Sequence, residues 1–139
     1  GALIVLSNEN LPEGIIESGT IVNAEITSQM IEAVFYPKAP LHDGAMIIRD
    51  GMIHAAGCIL PLTKNASVSA ELGTRHRAAI GMSEISDAII VVVSEETGDI
   101  SIAQGGEIRL NIDPVRLQQT LQRYLTINTR KRSKKEVAE

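Results

Sequence analysis

The stretch "DAIIVVVSEETGDISIAQ", residues 87–104, decides the fold. Residues 89–93 are an unbroken run of Ile and Val. Successive strand residues face opposite sides of a sheet, so a half-exposed strand alternates apolar and polar side chains. A run that is apolar at every position is buried on both faces and reads as a central strand. "EETGD" (95–99) then gathers turn-forming residues, and "ISIAQ" (100–104) returns as the partner strand.

Outward from this hairpin the same logic assigns the rest. "AMIIRDGMIHAAGCIL" (45–60) splits into two strands around Asp50-Gly51, a dipeptide suited to tight hairpin turns. "ALIVL" (2–6) reads as a buried strand, "SNENLPEG" (7–14) as loop and "TIVNAEI" (20–26) as an alternating strand. Met30, Ile31, Val34 and Phe35 recur at helical spacing behind Thr27 or Ser28 as N-cap, and Tyr36, Pro37 and Pro40 end that helix. The polar stretch 61–73 is predicted as a long, partly helical connection. A helix is expected over 74–85, and a short strand over 107–110 follows the Gly105-Gly106 turn. A last helix is expected over 113–125, with Asp113 as N-cap, Pro114 in its first turn, and Leu117, Leu121 and Leu125 as its packing face. The sum is a single α/β domain: a central mixed, twisted sheet of six or seven strands flanked by helices.

Length and composition bound the function. The 139 residues, 44% hydrophobic, suit one domain with one core. Phe35, Tyr36 and Tyr124 are the only aromatics, so the core is aliphatic and a base-stacking platform is disfavoured. Residues 1–122 carry 7 Lys/Arg against 15 Asp/Glu, a net −8, while 123–139 carry 6 against 2, a net +4. A body this acidic does not suit a phosphate-backbone binder, and no nucleic-acid partner is expected. The basic tail over 128–139 reads as a solvated terminus, with a nucleic-acid or anionic-membrane contact as the other reading. Cys58 is the single cysteine, so there is no disulfide framework, and it reads as a small buried hydrophobe. No apolar run approaches the ~20 residues of a membrane span. The chain opens inside a strand at "GALIVL", without Met, and is expected to be a piece of a longer protein.

Three segments carry chemistry. "ELGTRHRAAIG" (71–81) places Arg75, His76 and Arg77 in the first turn of a helix, where the dipole favours anions. Such a conflict marks a candidate site. A bound polyanion resolves it, because free backbone N–H groups, two guanidinium forks and the Thr74 hydroxyl all suit phosphate. Gly73 is expected to allow a sharp helix entry. The other reading is an exposed helix start with its arginines paired to acids. "PLHDGA" (40–45) places His42 and Asp43 at a strand mouth. Together they suit Mg²⁺ or Mn²⁺ if the chain turns at Gly44, and small Gly44 and Ala45 admit a ligand close to the backbone. An Asx-type turn with His42 at the surface is the alternative. "SEETGD" (94–99) ends the strongest strand with Glu95 and Glu96, either a metal ligand or a polar turn. Jointly these suit metal-assisted phosphoryl or nucleotidyl transfer. No P-loop or GxGxxG motif is present.

With these residues in view, the chain resembles the catalytic domain of the diadenylate cyclases. The family's Asp-Gly-Ala and Arg-His-Arg motifs appear as Asp43-Gly44-Ala45 and Arg75-His76-Arg77, within "PLHDGA", "LGTRHRAA" and "VSEETG" in family order. The resemblance covers residues 1–127. It implies condensation of two ATP into cyclic di-AMP with release of two pyrophosphates. It further implies a divalent metal (Mn²⁺ or Mg²⁺, with Co²⁺ also admissible) and one ATP per subunit of a face-to-face homodimer. By resemblance, Asp43 helps activate the ribose hydroxyl, with His42 and Glu96 as further metal contacts. Gly44 and Ala45 admit the nucleotide, and the Leu60 main chain meets adenine. Gly73, Thr74, Arg75, His76 and Arg77 hold the triphosphate, Arg75 and Arg77 being placed with Asp43 in the catalytic set, and Ser94 adds a polar contact. The close local match implies the membrane-anchored branch, hence a cytoplasmic domain joined to the membrane through a preceding segment. A non-catalytic receptor for ATP or a cyclic dinucleotide, and a metal phosphohydrolase, are the competing readings.

Overall fold

The structure is a computed structural model that describes residues 1–7 and 11–125; the predicted tail over 128–139 lies outside the described residues. The strands are β1 (Ala2–Leu6), β2 (Thr20–Glu25), β3 (Ala45–Arg49), β4 (Met52–Cys58), β5 (Ile89–Val93), β6 (Ile100–Gln104) and β7 (Glu107–Arg109). They form one seven-stranded sheet in the order β2-β4-β3-β1-β5-β6-β7. It is mixed: β1 and β3 are parallel, and the other neighbours are antiparallel. A 3-10 turn at Ile16–Ser18 and the helices α1 (Ser28–Phe35), α2 (Thr74–Glu84) and α3 (114–125) complete the described chain.

The run that predicted a central strand is buried as expected. Ile89, Ile90 and Val92 have no exposed surface, and β5 lies between β1 and β6. The two-residue period then divides the core into layers. Leu3, Val5, Ile47, Ile90 and Val92 pack with Ala78, Ala79 and Met82 of α2 on one face. Leu6, Ile89, Val91 and Ile102 meet Leu117, Leu121 and Tyr124 of α3 on the other. Val34, with Ile31 and Phe35 of α1, covers Met46 and Ile53 on that second side. Burying each such aliphatic side chain favours folding by about 1.5–3 kcal/mol, so an almost wholly aliphatic core suffices for the sheet.

Local signals explain the element ends. Asp50 and Gly51 take φ of 53° and 73°, the pair of positive values that a type I′ hairpin turn needs. The Thr27 hydroxyl accepts the Met30 N–H at 3.1 Å and caps α1. The Asp113 carboxylate accepts the Arg116 N–H at 2.9 Å and caps α3.

Two expectations fail. The connection 61–73 contains turns but no helix. Its Asn and Ser side chains instead bond nearby backbone, as when Asn65 Oδ1 accepts the Ser67 N–H at 3.0 Å. Leu125 does not share the packing face of Leu117 and Leu121. It is 44% exposed, and Tyr124 packs in its place. A four-residue repeat drifts around a helix of 3.6 residues per turn, and about two turns beyond Leu117 the aromatic neighbour faces the sheet.

Candidate functional site

Strand register gathers the three predicted segments at one end of the sheet. β1 and β3 run side by side with Ile4 beside Met46, so Ala45 enters where β1 begins. β5 runs against β1 with Val93 beside Ala2, so its exit into Ser94 reaches the same end. Cys58 pairs with Ala45, which brings the chain toward Leu60 there as well. The start of α2 joins them, because Arg75 Nη1 lies 3.0 Å from Glu95 Oε2.

The chain turns at Gly44, as the His42-Asp43 pair requires. Gly44 has φ +117°, and a Cβ there would lie 2.8 Å from the Gly57 carbonyl carbon and 2.9 Å from the Cys58 carbonyl oxygen. Only glycine fits against β4 in that conformation. Ala45 is fully buried, so no part of it lies at the surface where a ligand was expected to approach. Asp43 is exposed and His42 half-buried. His42 Nδ1 lies 2.7 Å from the Ala39 carbonyl oxygen. A carbonyl only accepts, so Nδ1 carries a hydrogen, and Nε2 is the ring nitrogen left for a metal. Leu60 is buried, between exposed Ile59 and an exposed Leu62.

At α2, no side chain caps the helix start. Thr74 is exposed there. The two arginines part ways. Arg75 pairs with Glu95, whose side chain is 74% exposed, so the pair adds at most about 1 kcal/mol. Arg75 Nε is buried with no hydrogen-bond partner. Arg77 folds back instead: its Nε donates to the Leu72 carbonyl at 3.3 Å and Nη2 to the Ser69 carbonyl at 3.0 Å. His76 is half-buried, and burial lowers its pKa, which favours the neutral ring. Gly73 takes an ordinary extended conformation, φ −77° and ψ −178°, and a Cβ there would meet nothing within 4 Å. The expected sharp entry is therefore not what glycine provides at this position.

At the exit of β5, the Ser94 hydroxyl accepts the Thr97 N–H at 3.3 Å and its carbonyl accepts the Gly98 N–H at 2.9 Å, which ties the 94–98 turn. Glu96 is exposed. Among the described residues no three His, Cys, Asp or Glu side chains stand close enough to hold a metal ion by themselves. The structure also adds positions that sequence reasoning passed over. The carbonyls of Ala39, Ser69 and Leu72 orient His42 and Arg77, and carbonyls leave no mark in a sequence. Gly81, in the middle of α2, did leave one, because glycine inside a helix asks for a packing reason.

Comparison with known proteins follows the same segments. The family model DisA bacterial checkpoint controller nucleotide-binding, abbreviated DAC, matches residues 1–108. The chain is 55% identical over 106 residues to diadenylate cyclase CdaS of Bacillus thuringiensis, covering 76% of this chain and 53% of that protein. It is similar in structure to DacA from Staphylococcus aureus, solved as a double mutant, with TM-score 0.83 and 47% identity over 86% of this chain and 80% of that one. A hypothetical membrane spanning protein from Bacillus cereus gives TM-score 0.76 and 51% identity over 81% and 55% of the two chains. The chain spans about half the length of the curated relatives it matches. A family match across most of the chain, with both motifs at one end of the sheet, makes this chain a member of the DAC family.

Proposed function

We propose that this domain is a diadenylate cyclase, joining two ATP molecules into cyclic di-AMP. Each ribose 3′-hydroxyl attacks the α-phosphorus of the other ATP. Each new O–P bond replaces the bond to the bridging oxygen of the departing pyrophosphate, and each hydroxyl gives up its proton. The observation that carries this reading is the convergence of Asp43, the α2 start and the 94–96 exit on one end of the sheet. Arg75 adds to it: a buried guanidinium N–H without an acceptor costs about 1–3 kcal/mol until an oxyanion arrives. Gly73 opens onto space that no protein atom fills, which lets a triphosphate approach the helix start closely. Thr74 and His76 belong to the same triphosphate contact.

We infer that a divalent ion, Mn²⁺, Mg²⁺ or Co²⁺, would be held by Asp43 and His42 Nε2, with Glu96 as a further candidate contact. Among the described residues no three-ligand cluster forms, so substrate phosphate oxygens would have to supply the remaining ligands of such an ion. When bound, the ion offsets phosphate charge and lowers the pKa of the ribose hydroxyl. Asp43 orients that hydroxyl, and Arg75 neutralises the triphosphate. Arg77 acts from behind, through the segment it holds. The Leu60 main chain meets adenine, flanked by exposed Ile59 and Leu62.

One such end binds one ATP, so symmetric ring closure needs two subunits meeting end to end about a two-fold axis. Among the described residues no helix is long and apolar enough to cross a membrane. The likeness to a protein described as membrane spanning supports a membrane-anchored parent, and a domain that uses ATP would face the cytoplasm.

A product assay tests the reading. The protein is incubated with ATP and Mn²⁺, Mg²⁺ or Co²⁺ over a wide protein range, and products are identified by chromatography and mass. Cyclic di-AMP, formed faster than linearly with protein, is expected. Asp43→Asn is expected to lose at least about a hundredfold in rate while binding ATP. Tight cyclic di-AMP binding with no turnover in any metal would move the assignment to a receptor. Release of AMP or phosphate alone would move it to a hydrolase.

A further inference from the structure

The opposite end of the sheet carries a second site. β5 begins there, with Ile89 beside Leu6, and β6 ends there, with Gln104 beside Glu107. A cleft of about 470 Å³ opens between these strands and α3. Its walls hold Arg109 from β7 and Arg116 and Arg123 from α3. Arg116 and Arg123 are seven residues apart, two turns, so they project from one helix face with Thr120 between them.

The concentration of charge is the first argument. Residues 1–125 carry eight Lys/Arg within a chain body that is strongly acidic, and three of the eight surround this cleft. The second argument is their freedom. Arg75 pairs with Glu95, Arg49 lies 3.9 Å from Asp50, and Arg77 is held by carbonyls. Arg109, Arg116 and Arg123 form no ion pair among the described residues. Three unpaired guanidinium forks around one concavity suit an oxyanion with several oxygens, phosphate above all.

The rest of the lining narrows the class. Ile102 and the Tyr124 ring give an apolar wall, and the Tyr124 hydroxyl is engaged by the carbonyls of Leu6 at 3.2 Å and Asp87 at 3.4 Å. Asp87 and Glu107 stand on the same walls, which leaves the lining at a net +1. Carboxylates repel a bare polyphosphate but accept hydrogen bonds from sugar hydroxyls. We infer that this cleft binds a phosphorylated sugar or a nucleotide, with phosphate on the arginines and hydroxyls on Asp87 and Glu107. This site is separate from the end that carries Asp43 and Arg75, because β5 runs the length of the sheet between them.

Amide chemical-shift titration of the whole domain tests this, since it separates the two ends residue by residue. AMP and ribose 5-phosphate are added without metal, and pyrophosphate serves as the anion alone. Saturating shifts at Arg109, Arg116, Thr120 and Tyr124 are expected with AMP and ribose 5-phosphate, and these shifts should weaken at least tenfold in Arg116→Ala/Arg123→Ala. Both positions are exposed on a helix, where alanine preserves the fold. Shifts confined to the 73–77 end, or cleft affinity unchanged in the double variant, would overturn the site. Pyrophosphate binding as tightly as AMP would overturn the sugar assignment.

Discussion

Replacing Gly81 by alanine reverses the usual sign of a helix substitution. In an ordinary helix interior, Gly→Ala stabilises by about 1 kcal/mol, because glycine loses the most backbone freedom on folding. At Gly81 the new Cβ would stand 2.0 Å from the Pro61 carbonyl oxygen and 2.8 Å from the Leu62 carbonyl carbon and the Thr63 nitrogen. All three are backbone atoms, so no side chain can swing aside. The strand of chain at 61–63 must retreat by at least about 1 Å before normal contact is reached. That retreat disturbs the bond from the Thr63 N–H to the Arg77 carbonyl, now 3.0 Å, and the Thr63 hydroxyl contact with Glu84.

Overpacking of this kind costs about 1–3 kcal/mol, and the strained hydrogen bond about 1 more. Subtracting the helix-propensity gain of about 1 leaves a net loss near 2 kcal/mol. In a domain of this size that lowers the melting temperature by about 5–10 °C. Urea unfolding of the wild-type and Gly81→Ala domains, followed by circular dichroism, measures it. Gly73→Ala is the control: with open space around it, it should lose only the modest N-cap preference, about 0.5–1 kcal/mol. A Gly81→Ala midpoint equal to or above wild type, with unchanged slope, would refute the claim that chain crossing selects glycine here.

Three further outcomes follow from the same geometry. Arg75→Ala should not destabilise the fold, because removing the orphaned Nε offsets the loss of an ion pair worth at most about 1 kcal/mol, yet it should weaken ATP binding at least about tenfold by calorimetry; unaltered affinity would remove its phosphate role. Arg77→Ala should destabilise by about 1–3 kcal/mol and speed amide exchange in 63–72, since two carbonyls lose a charged donor; exchange as slow as wild type would count against the clamp. Burial, with a smaller push from the Glu17 charge, drives the Cys58 thiol pKa up to about 11. The neutral thiol is favoured in the fold, so its contribution is full below the ordinary value near 9 and is lost as pH rises from about 9 to about 11. Urea midpoints between pH 8 and 10.5 should therefore fall more steeply for wild type than for Cys58→Ala, and parallel slopes would contradict this.

The sheet was legible because its signals are local and redundant. Residues 89–93 are apolar at every position, Asp50-Gly51 is the dipeptide that a two-residue turn demands, and Thr27 and Asp113 cap the helices they precede. Strand order was not legible. Nothing in the sequence says that β1 lies between β3 and β5, since that pairing depends on contacts across more than 40 residues. The helical expectation for 61–73 failed for a related reason. Its Asn and Ser side chains bond nearby backbone, and the segment is then fixed from outside by Arg77 and by the close crossing at Gly81.

The same distinction explains the site. Charge type and spacing in "GTRHR" pointed to an anion at a helix start, and the structure supplies an orphaned Arg75 N–H and an uncapped helix there. Spacing could not divide the labour between the two arginines. Residues i and i+2 of a helix point in different directions, about 200° apart. One guanidinium must therefore leave the surface that the other faces. Arg75 goes to the sheet end with Glu95, while Arg77 goes to the carbonyls of Ser69 and Leu72. On the proposed function the motif holds two roles: a phosphate contact by Arg75, and a clamp by Arg77 on the segment that leads from Leu60 toward it. Only the first can be inferred from residue type, because the clamp's acceptors are backbone atoms common to every residue. Arg77→Lys separates the roles. Lysine keeps the charge but lacks the fork that spans two carbonyls. If the clamp matters, this variant should resemble Arg77→Ala in stability; wild-type stability would mean that charge alone suffices at this position.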